Sequence, residues 1–349
     1  MTADLDVVVV GGGPVGLVSA LFAAQVGLRV VVVEPRLDPI DKACGEGLMP
    51  SALSLLRDLQ VEPAGRPYVG ITYIDAAACQ RAHASFSGAP GRGVRRTVLH
   101  EELTRKAKEL EVEQRQGRVV ALDQSSDSVV ARLLDGTQLH SRYLIAADGL
   151  HSTIRGLVRL TKSTPPHVRF GLRSHFEVQP WSDNVEVYWA DHGEAYVTPV
   201  AANLVGVAVL GERKGGDFVR RLDEFPALQE RLGEGPAMGP VLGAGPLRQD
   251  VVGRVRGRVL LVGDAAGYVD ALTGEGLAIG FKSARAAVSA IVAEQPQSYE
   301  REWRQITWRY RWLTHALLGA TRRPTIRRRL VPAAAGLPRV FAAAVNSLA

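Results

Sequence analysis

The chain is poor in cysteine, with only Cys44 and Cys79 among 349 residues. Two cysteines cannot build a disulfide framework, and their spacing is not that of a metal site. No metal centre is therefore expected, and a reducing cytoplasm fits such usage. No apolar run reaches the ~18 residues that a membrane-spanning helix requires. The opening Met1-Thr2-Ala3-Asp4-Leu5-Asp6 lacks a basic stretch, so no secretory leader is expected. Acid is scarce at one end. From Arg301 to Ala349 ten arginines face a single acid, Glu302, which gives +9 there and leaves −3 on residues 1–300 of a chain whose net charge is +6. The basic character thus belongs to a C-terminal tail rather than to the body.

Hydrophobic residues make up 46% and charged residues 22%, which excludes a disordered chain and predicts one or two globular domains or a two-lobed fold. Asp6–Val10 is a short apolar run ended by three glycines. A helical stretch follows over Val15–Val26, and a second apolar run over Val30–Val33 ends at Glu34. This is strand-turn-helix-turn-strand with strands buried on both faces, as in a parallel sheet. Leu99–Leu110 reads as a charged amphipathic helix. Val119–Asp123 and Val129–Leu134 read as strands, with Asp135-Gly136 as a hairpin turn, and Tyr143–Ala147 as another buried strand. Between His167 and Leu210 alternating segments such as Val185-Glu186-Val187-Tyr188-Trp189 predict an antiparallel sheet with one face open to solvent or ligand. Val259–Val262 returns to a buried strand, Gly276–Val292 is helical, and helix and basic tail complete the chain.

Gly11-Gly12-Gly13-Pro14-Val15-Gly16 stands between the first strand and the first helix. Gly11 permits the tight turn, Gly13 lets backbone approach a pyrophosphate, and Gly16 allows close helix–strand packing. Pro14 and Val15 open the helix, whose N-terminus faces phosphate charge. Glu34, 23 positions after Gly11, stands where an acid binds ribose hydroxyls, with Arg36 beside it. A glycine-rich turn in an unrelated α/β protein is the alternative for the glycines alone. This motif does not separate NAD from FAD, and Glu34 disfavours a 2′-phosphate.

Two further strand-turn-helix corners favour FAD. One is Asp148-Gly149-Leu150-His151-Ser152-Thr153-Ile154-Arg155. The other is Gly263-Asp264-Ala265-Ala266-Gly267, followed by Thr273-Gly274-Glu275-Gly276 and a helix. An acid at a strand end opposite a glycine-rich helix start can hold the ribityl and pyrophosphate part of a flavin. The helix N-terminus stabilises negative charge on the flavin's pyrimidine edge. Gly263, Asp264, Gly274 and Gly276 are the candidates there. Taken in order, the three motifs resemble the fingerprints of the para-hydroxybenzoate hydroxylase-like flavoproteins, a group that includes aromatic hydroxylases, halogenases and geranylgeranyl reductases. The resemblance spans roughly residues 5–295. It implies that Asp148 lies between FAD and the approach of the nicotinamide donor, that Asp264 contacts FAD, and that Arg96 reaches the FAD pyrophosphate. Arg95 competes with Arg96 for that role, and a solvated helix-start arginine is the plain alternative.

The resemblance implies an α/β fold. A discontinuous, doubly wound FAD-binding domain would occupy 1–75, 95–165 and 246–295. An interleaved antiparallel substrate-binding domain would occupy 76–94 and 166–245, and a C-terminal helical, basic segment 296–349. Departures from the hydroxylase pattern bear on chemistry: Gly267 replaces the usual histidine, and Asp270 and Ala271 stand at proline positions. Lys42-Ala43-Cys44-Gly45-Glu46-Gly47-Leu48 resembles a flavin-side segment of geranylgeranyl reductases, which makes Cys44 a candidate catalytic residue. A small buried hydrophobe is its plain reading, and Cys79 is expected in the core. The reductase family's Y-x-W-x-F-P pattern is met over Glu194–Pro199 only at Pro199, and the halogenase W-x-W-x-I-P pattern is absent. Tyr188, Trp189 and Tyr196 either pack in the sheet or stack on substrate. His100 and His151 carry no specific support for catalysis.

The expected activity is NAD(P)H- and O2-dependent hydroxylation of an aromatic or polyketide-like molecule. Reduction of C=C bonds in an isoprenoid or polyketide is the alternative. No nucleic-acid partner is expected. The arginines interleaved with Trp303, Trp308 and Trp312 suit either a membrane surface or a packed C-terminal helix. The expected location is accordingly the cytoplasm, with a peripheral membrane contact as the extension of that reading.

Overall fold

The computed structural model describes residues 4–36, 39–77, 79–163, 168–212 and 217–349. Met1–Ala3, His167 and the expected boundary at residue 165 lie outside the described residues. Five parallel strands form the centre of the first sheet, in the order Val259–Leu261, Gln138–Ala146, Leu5–Val10, Val30–Glu34 and Glu113–Gln116. Leu5–Val10 and Val30–Glu34 are mostly valine, and their valines are buried on both faces of the sheet. Helix Pro14–Gln25 packs against helices Arg96–Glu109 and Gly276–Val292. Antiparallel strands Val119–Gln124 and Val129–Leu133 extend from Gln138–Ala146. The Asp135-Gly136 turn joins the last two strands, with Gly136 at φ +89°.

The second sheet runs Ala237–Ala244, Arg169–Phe176, Leu204–Glu212, Gly193–Ala201, Val185–Trp189, Gly70–Asp75, Arg81–Ser85. All its pairings are antiparallel except that of Val185–Trp189 with Gly70–Asp75. Gly70–Asp75 therefore belongs here and not with the first sheet, so a boundary at residue 75 falls too late. Its pairing with Arg81–Ser85 is local, but Val185–Trp189, the strand that joins the two to this sheet, lies more than a hundred residues away, where no local pattern reaches. A small third sheet of Gly47–Leu48, Gly91–Gly93 and Arg66–Tyr68 sits beside the second. The two contact closely enough that a Cβ on Gly93 would overlap the Pro199 carbonyl.

The second sheet has no solvent-open face along its centre. All five residues of Val185–Trp189 are buried. Helices Phe218–Leu222 and Pro226–Leu232 cover one side, packing Phe218, Phe225 and Leu228 against Tyr188, Val197 and Val207. On the other side lie a cavity and the C-terminal segment, whose Phe341 and Val345 pack on Ala82 and Ala84. Strand alternation records two different faces but not what covers them. Cys79 is exposed rather than in the core. It lies in a turn held by the Asp75 carboxylate, which accepts the Ala77, Cys79 and Gln80 amides.

The C-terminal segment folds as helices Ser298–Thr321, Pro324–Arg327, Leu330–Gly336 and Pro338–Asn346. It is pinned to the body. Tyr299 donates its hydroxyl to the Leu261 carbonyl and Tyr310 to the Asp270 carbonyl, each at 2.8 Å. Arg327 is buried and reaches Glu194 Oε2 at 2.8 Å, while Arg169 pairs with the other Glu194 oxygen. Among the described residues no helix is long and apolar enough to cross a membrane.

Candidate functional site

The first strand ends where Gly11 adopts φ +109°, and a Cβ there would collide with the Ala147 backbone. A Cβ on Gly16 would overlap the Gly11 carbonyl, so helix Pro14–Gln25 sits against the turn only because residue 16 is glycine. The Gly12 N–H donates to Glu34 Oε2 at 2.8 Å, and Arg36 donates to the same carboxylate through Nε at 2.7 Å and Nη2 at 3.2 Å. Burial raises the Glu34 carboxyl, but the Arg36 and Gly12 hydrogen bonds outweigh it and hold the group below the usual glutamate range. His100, buried on helix Arg96–Glu109, donates through Nε2 to the Gly12 carbonyl at 2.9 Å. It anchors the glycine turn from behind.

The Asp148 carboxylate accepts Ser152 Oγ at 2.5 Å and the Ile154 N–H at 3.1 Å, and so ties the second turn to its own short helix. Burial raises its carboxyl above the ordinary aspartate range against those bonds. Arg155 then links the second motif to the third. Its guanidinium donates to the Leu150 carbonyl at 2.7 Å, to Gln249 Oε1 at 2.8 Å and to the Ala265 carbonyl at 3.2 Å. In the third motif Gly263 has φ +57° and packs on Val15, with its N–H bonded to Ser283 Oγ at 3.1 Å. Glu275 precedes helix Gly276–Val292. Burial pushes its carboxyl up to about 8 against the pull of the Lys282 ammonium.

The Cys44 loop carries a buried polar chain that reaches both sheets. Glu46, at φ +58°, accepts the Arg96 N–H at Oε1, 2.9 Å away. Its Oε2 lies 2.7 Å from His175 Nε2, and His175 Nδ1 lies 3.0 Å from Arg173 Nη1. Arginine only donates, so His175 Nδ1 accepts and Nε2 carries the proton given to Glu46. Arg173 is also paired with Asp41. The Cys44 Sγ accepts the Glu46 N–H at 3.4 Å, and Thr198 Oγ1 donates to the Gly45 carbonyl at 2.8 Å. The loop is thus fixed by both the first sheet's helix start and the second sheet.

These features meet in one cavity of about 990 Å³. Gly11, Gly13, Pro14 and Val15 line it, as do Glu34 and Arg36. Cys44, Arg96, Asp148, Asp264, Gly274 and Gly276 also line it. Gly16 and Gly263 do not: both sit behind the wall, where they let helices approach strands. Arg96 faces the cavity and Arg95 does not, while the Nε of each is buried with no hydrogen-bond partner, so the cavity alone tells them apart. Of the aromatic candidates only Tyr196 lines the cavity, with its hydroxyl bonded to the Leu272 carbonyl at 2.6 Å. Tyr188 turns to Glu186, and Trp189 packs edge-on against Tyr73 at 5.2 Å between centroids. His151 is at the rim.

Several lining groups escaped sequence reasoning. Gly117 and Arg118 line the Glu34 end, because Glu113–Gln116 runs beside Glu34's strand and the Gly117 N–H bonds the Glu34 carbonyl at 3.0 Å. Arg173 lines the loop end, and its alternation with His175 on one strand was the available signal. The far wall is the C-terminal segment, from Trp312 to Leu348. The tail is therefore part of the site-bearing body, as the packed C-terminal helix among the sequence readings has it.

A glycine turn that leaves backbone bare, a free arginine Nε and a terminal acid suit a dinucleotide diphosphate. The fold and site define an α/β dinucleotide-binding protein with a second sheet roofing the same cavity. The chain belongs to the FAD binding domain family, whose model matches residues 4–302. It is 33% identical over 162 residues to a rifampicin monooxygenase of Rhodococcus hoagii, a match covering 44% of this chain and 33% of that protein. It is 28% identical over 339 residues to a menaquinone reductase of Mycolicibacterium smegmatis, covering 87% and 80% of the two chains. Among solved structures, a flavoprotein/dehydrogenase from Cytophaga hutchinsonii superposes with TM-score 0.81 at 18% identity, covering 98% of this chain and 96% of that one. That likeness is one of fold.

Proposed function

We propose that the protein is an FAD-dependent monooxygenase that uses NAD(P)H and dioxygen to hydroxylate an aromatic or polyketide-like small molecule. One observation carries this reading: the three motif corners open into the same cavity as the apolar face of the second sheet. Bound FAD would supply two-electron transfer and oxygen activation. Arg96, with its unpartnered Nε, would hold the pyrophosphate, and the Gly11–Gly16 turn would let that group approach. Glu34 would accept ribose hydroxyls while Arg36 holds its carboxylate in place. The N-terminus of helix Gly276–Val292, with Gly274 and Gly276 at the wall, would favour negative charge on the ring. Asp148 would order the turn along which the nicotinamide donor arrives. Tyr196, Leu210 and Leu272 would orient the substrate and exclude water. The rifampicin monooxygenase relative supports the reaction class. The arginine-rich C-terminal helices are read as a contact with a membrane surface.

A second reading, reduction of a C=C bond, is favoured by two observations. Cys44 lines the same cavity as Asp264 and Thr273, and the menaquinone reductase match runs over most of the chain. The test begins with the purified protein: its chromophore is released, identified and expected to be FAD. Donor oxidation is then followed with a panel of aromatic and polyketide compounds, in air and without oxygen. Substrate-stimulated turnover that requires air supports the monooxygenase. A saturated product formed without oxygen replaces it with the reductase.

A further inference from the structure

The cavity does not end at the cofactor motifs. It continues under the second sheet, past Ile71, Tyr73 and Val187, into an arm walled by the C-terminal helices. Within residues 301–349, which hold ten arginines, each of the 14 residues that face the cavity is apolar. Leu317, Ala320, Ala334, Phe341 and Val345 are representative. The segment is largely sorted: hydrocarbon faces the cavity, and its arginines face outward except Arg327, buried against Glu194, and the half-buried Arg311. An arm that offers no charged side chain, and on its sheet side only the Tyr73 hydroxyl, has little to recognise a polar ligand and favours hydrocarbon. Its mouth is marked by residues that both line the cavity and face solvent: Trp312 at 66% exposure, Leu337 at 59% and Val340 at 62%. Trp308, one helical turn before Trp312, is exposed as well. Arg309, Arg322, Arg323 and Arg339 are exposed in the flanking sequence, and Arg309 lies 5.3 Å over the Trp308 ring. The one acid of the segment, Glu302, is at its far end.

Exposed apolar residues grouped at an opening are costly in water. Tryptophan with arginine is the pairing that an anionic lipid interface stabilises. We propose that the arm binds the aliphatic chain of an amphiphilic substrate, and that the mouth docks on an anionic bilayer from which this substrate enters. The proposal deepens the oxidoreductase reading above and rests on it.

The test uses the full chain loaded with FAD. Vesicles of phosphatidylglycerol and phosphatidylcholine, or of phosphatidylcholine alone, are sedimented with it, and pyrene-labelled hexadecanoic acid serves as the chain probe. Binding to the anionic vesicles is expected, falling about tenfold when salt rises from ~0.05 M to ~0.5 M. Replacing the exposed rim by Trp312→Ser, Leu337→Ser and Val340→Ser should abolish vesicle binding without loss of folding. Ala334→Phe with Ala344→Phe should fill the arm and weaken the probe at least about tenfold, as blocking a pocket does. FAD content and donor oxidation are measured on the same samples. If the rim variant still binds vesicles, if neutral vesicles bind equally well, or if the filled arm still takes the probe, the proposal is overturned while an intact FAD content leaves the oxidoreductase reading standing. Loss of FAD binding by the unaltered chain would instead remove that reading.

Discussion

Arg95 and Arg96 are adjacent at a helix start, yet only Arg96 reaches the cavity, near enough to Gly13 that a Cβ there would lie 3.7 Å from Arg96 Nη2. If Arg96 holds the pyrophosphate, Arg96→Ala removes a charge-assisted hydrogen bond of about 1.5–3 kcal/mol. Titration of the apoprotein with FAD should then show a dissociation constant raised roughly tenfold to hundredfold. Arg95→Ala should change it little, and equal effects would refute the assignment. Glu275 makes a different prediction. Burial places its folded pKa at about 8, above the 4.5 of an unfolded glutamate. A carboxyl raised on folding contributes stability that is complete below the unfolded value and lost as pH rises through the folded one. Wild-type Tm should carry a falling component between pH ~5 and ~8, and Glu275→Gln, which cannot ionise, should lack it. Parallel curves for the two proteins would mean that Glu275 is ionised in the fold. Cys44→Ser separates the two chemistries. Under the monooxygenase reading turnover and FAD content both survive, whereas a proton-delivering role in alkene reduction would cost turnover alone.

The elements differ in how far they could be foreseen. Leu5–Val10, Val30–Glu34 and Gly276–Val292 were legible because burial on both faces, or helical periodicity, is written locally. The glycine positions were legible because bare backbone at Gly11 and Gly16 has no substitute. Gly70–Asp75 was not, since its sheet is decided by Val185–Trp189. Nor was the Glu46–His175 pair, whose members are 129 residues apart. The tail's role was hidden for the same reason: its arginines are visible in the sequence, while the surfaces it covers exist only in the fold. Trp303 illustrates the consequence. It is buried on helix Ser298–Thr321, and the Arg254 guanidinium stacks 3.7 Å from its ring centroid. Trp303→Ala should cost about 3–5 kcal/mol, as large-to-small core changes do. A denaturant midpoint unchanged from wild type would show instead that the C-terminal helices are a detachable appendage.

At the scale of the whole molecule, two sheets and a C-terminal segment enclose one space. The parallel sheet supplies glycine turns and strand-end acids, the second sheet supplies a roof, and the C-terminal helices close the far side. The polar chain from Arg96 through Glu46 and His175 to Arg173 and Asp41 joins the first two. With cofactor and substrate filling that space, its walls would limit the access of water to the reactive centre, as the proposed oxygen insertion requires. The most direct test is a single turnover. FAD-loaded protein is reduced by the nicotinamide donor without oxygen, mixed with substrate, and exposed to isotopically labelled dioxygen. The monooxygenase account predicts a product carrying one labelled oxygen atom and formed only after oxygen is admitted. A saturated, unlabelled product formed before that point would contradict it.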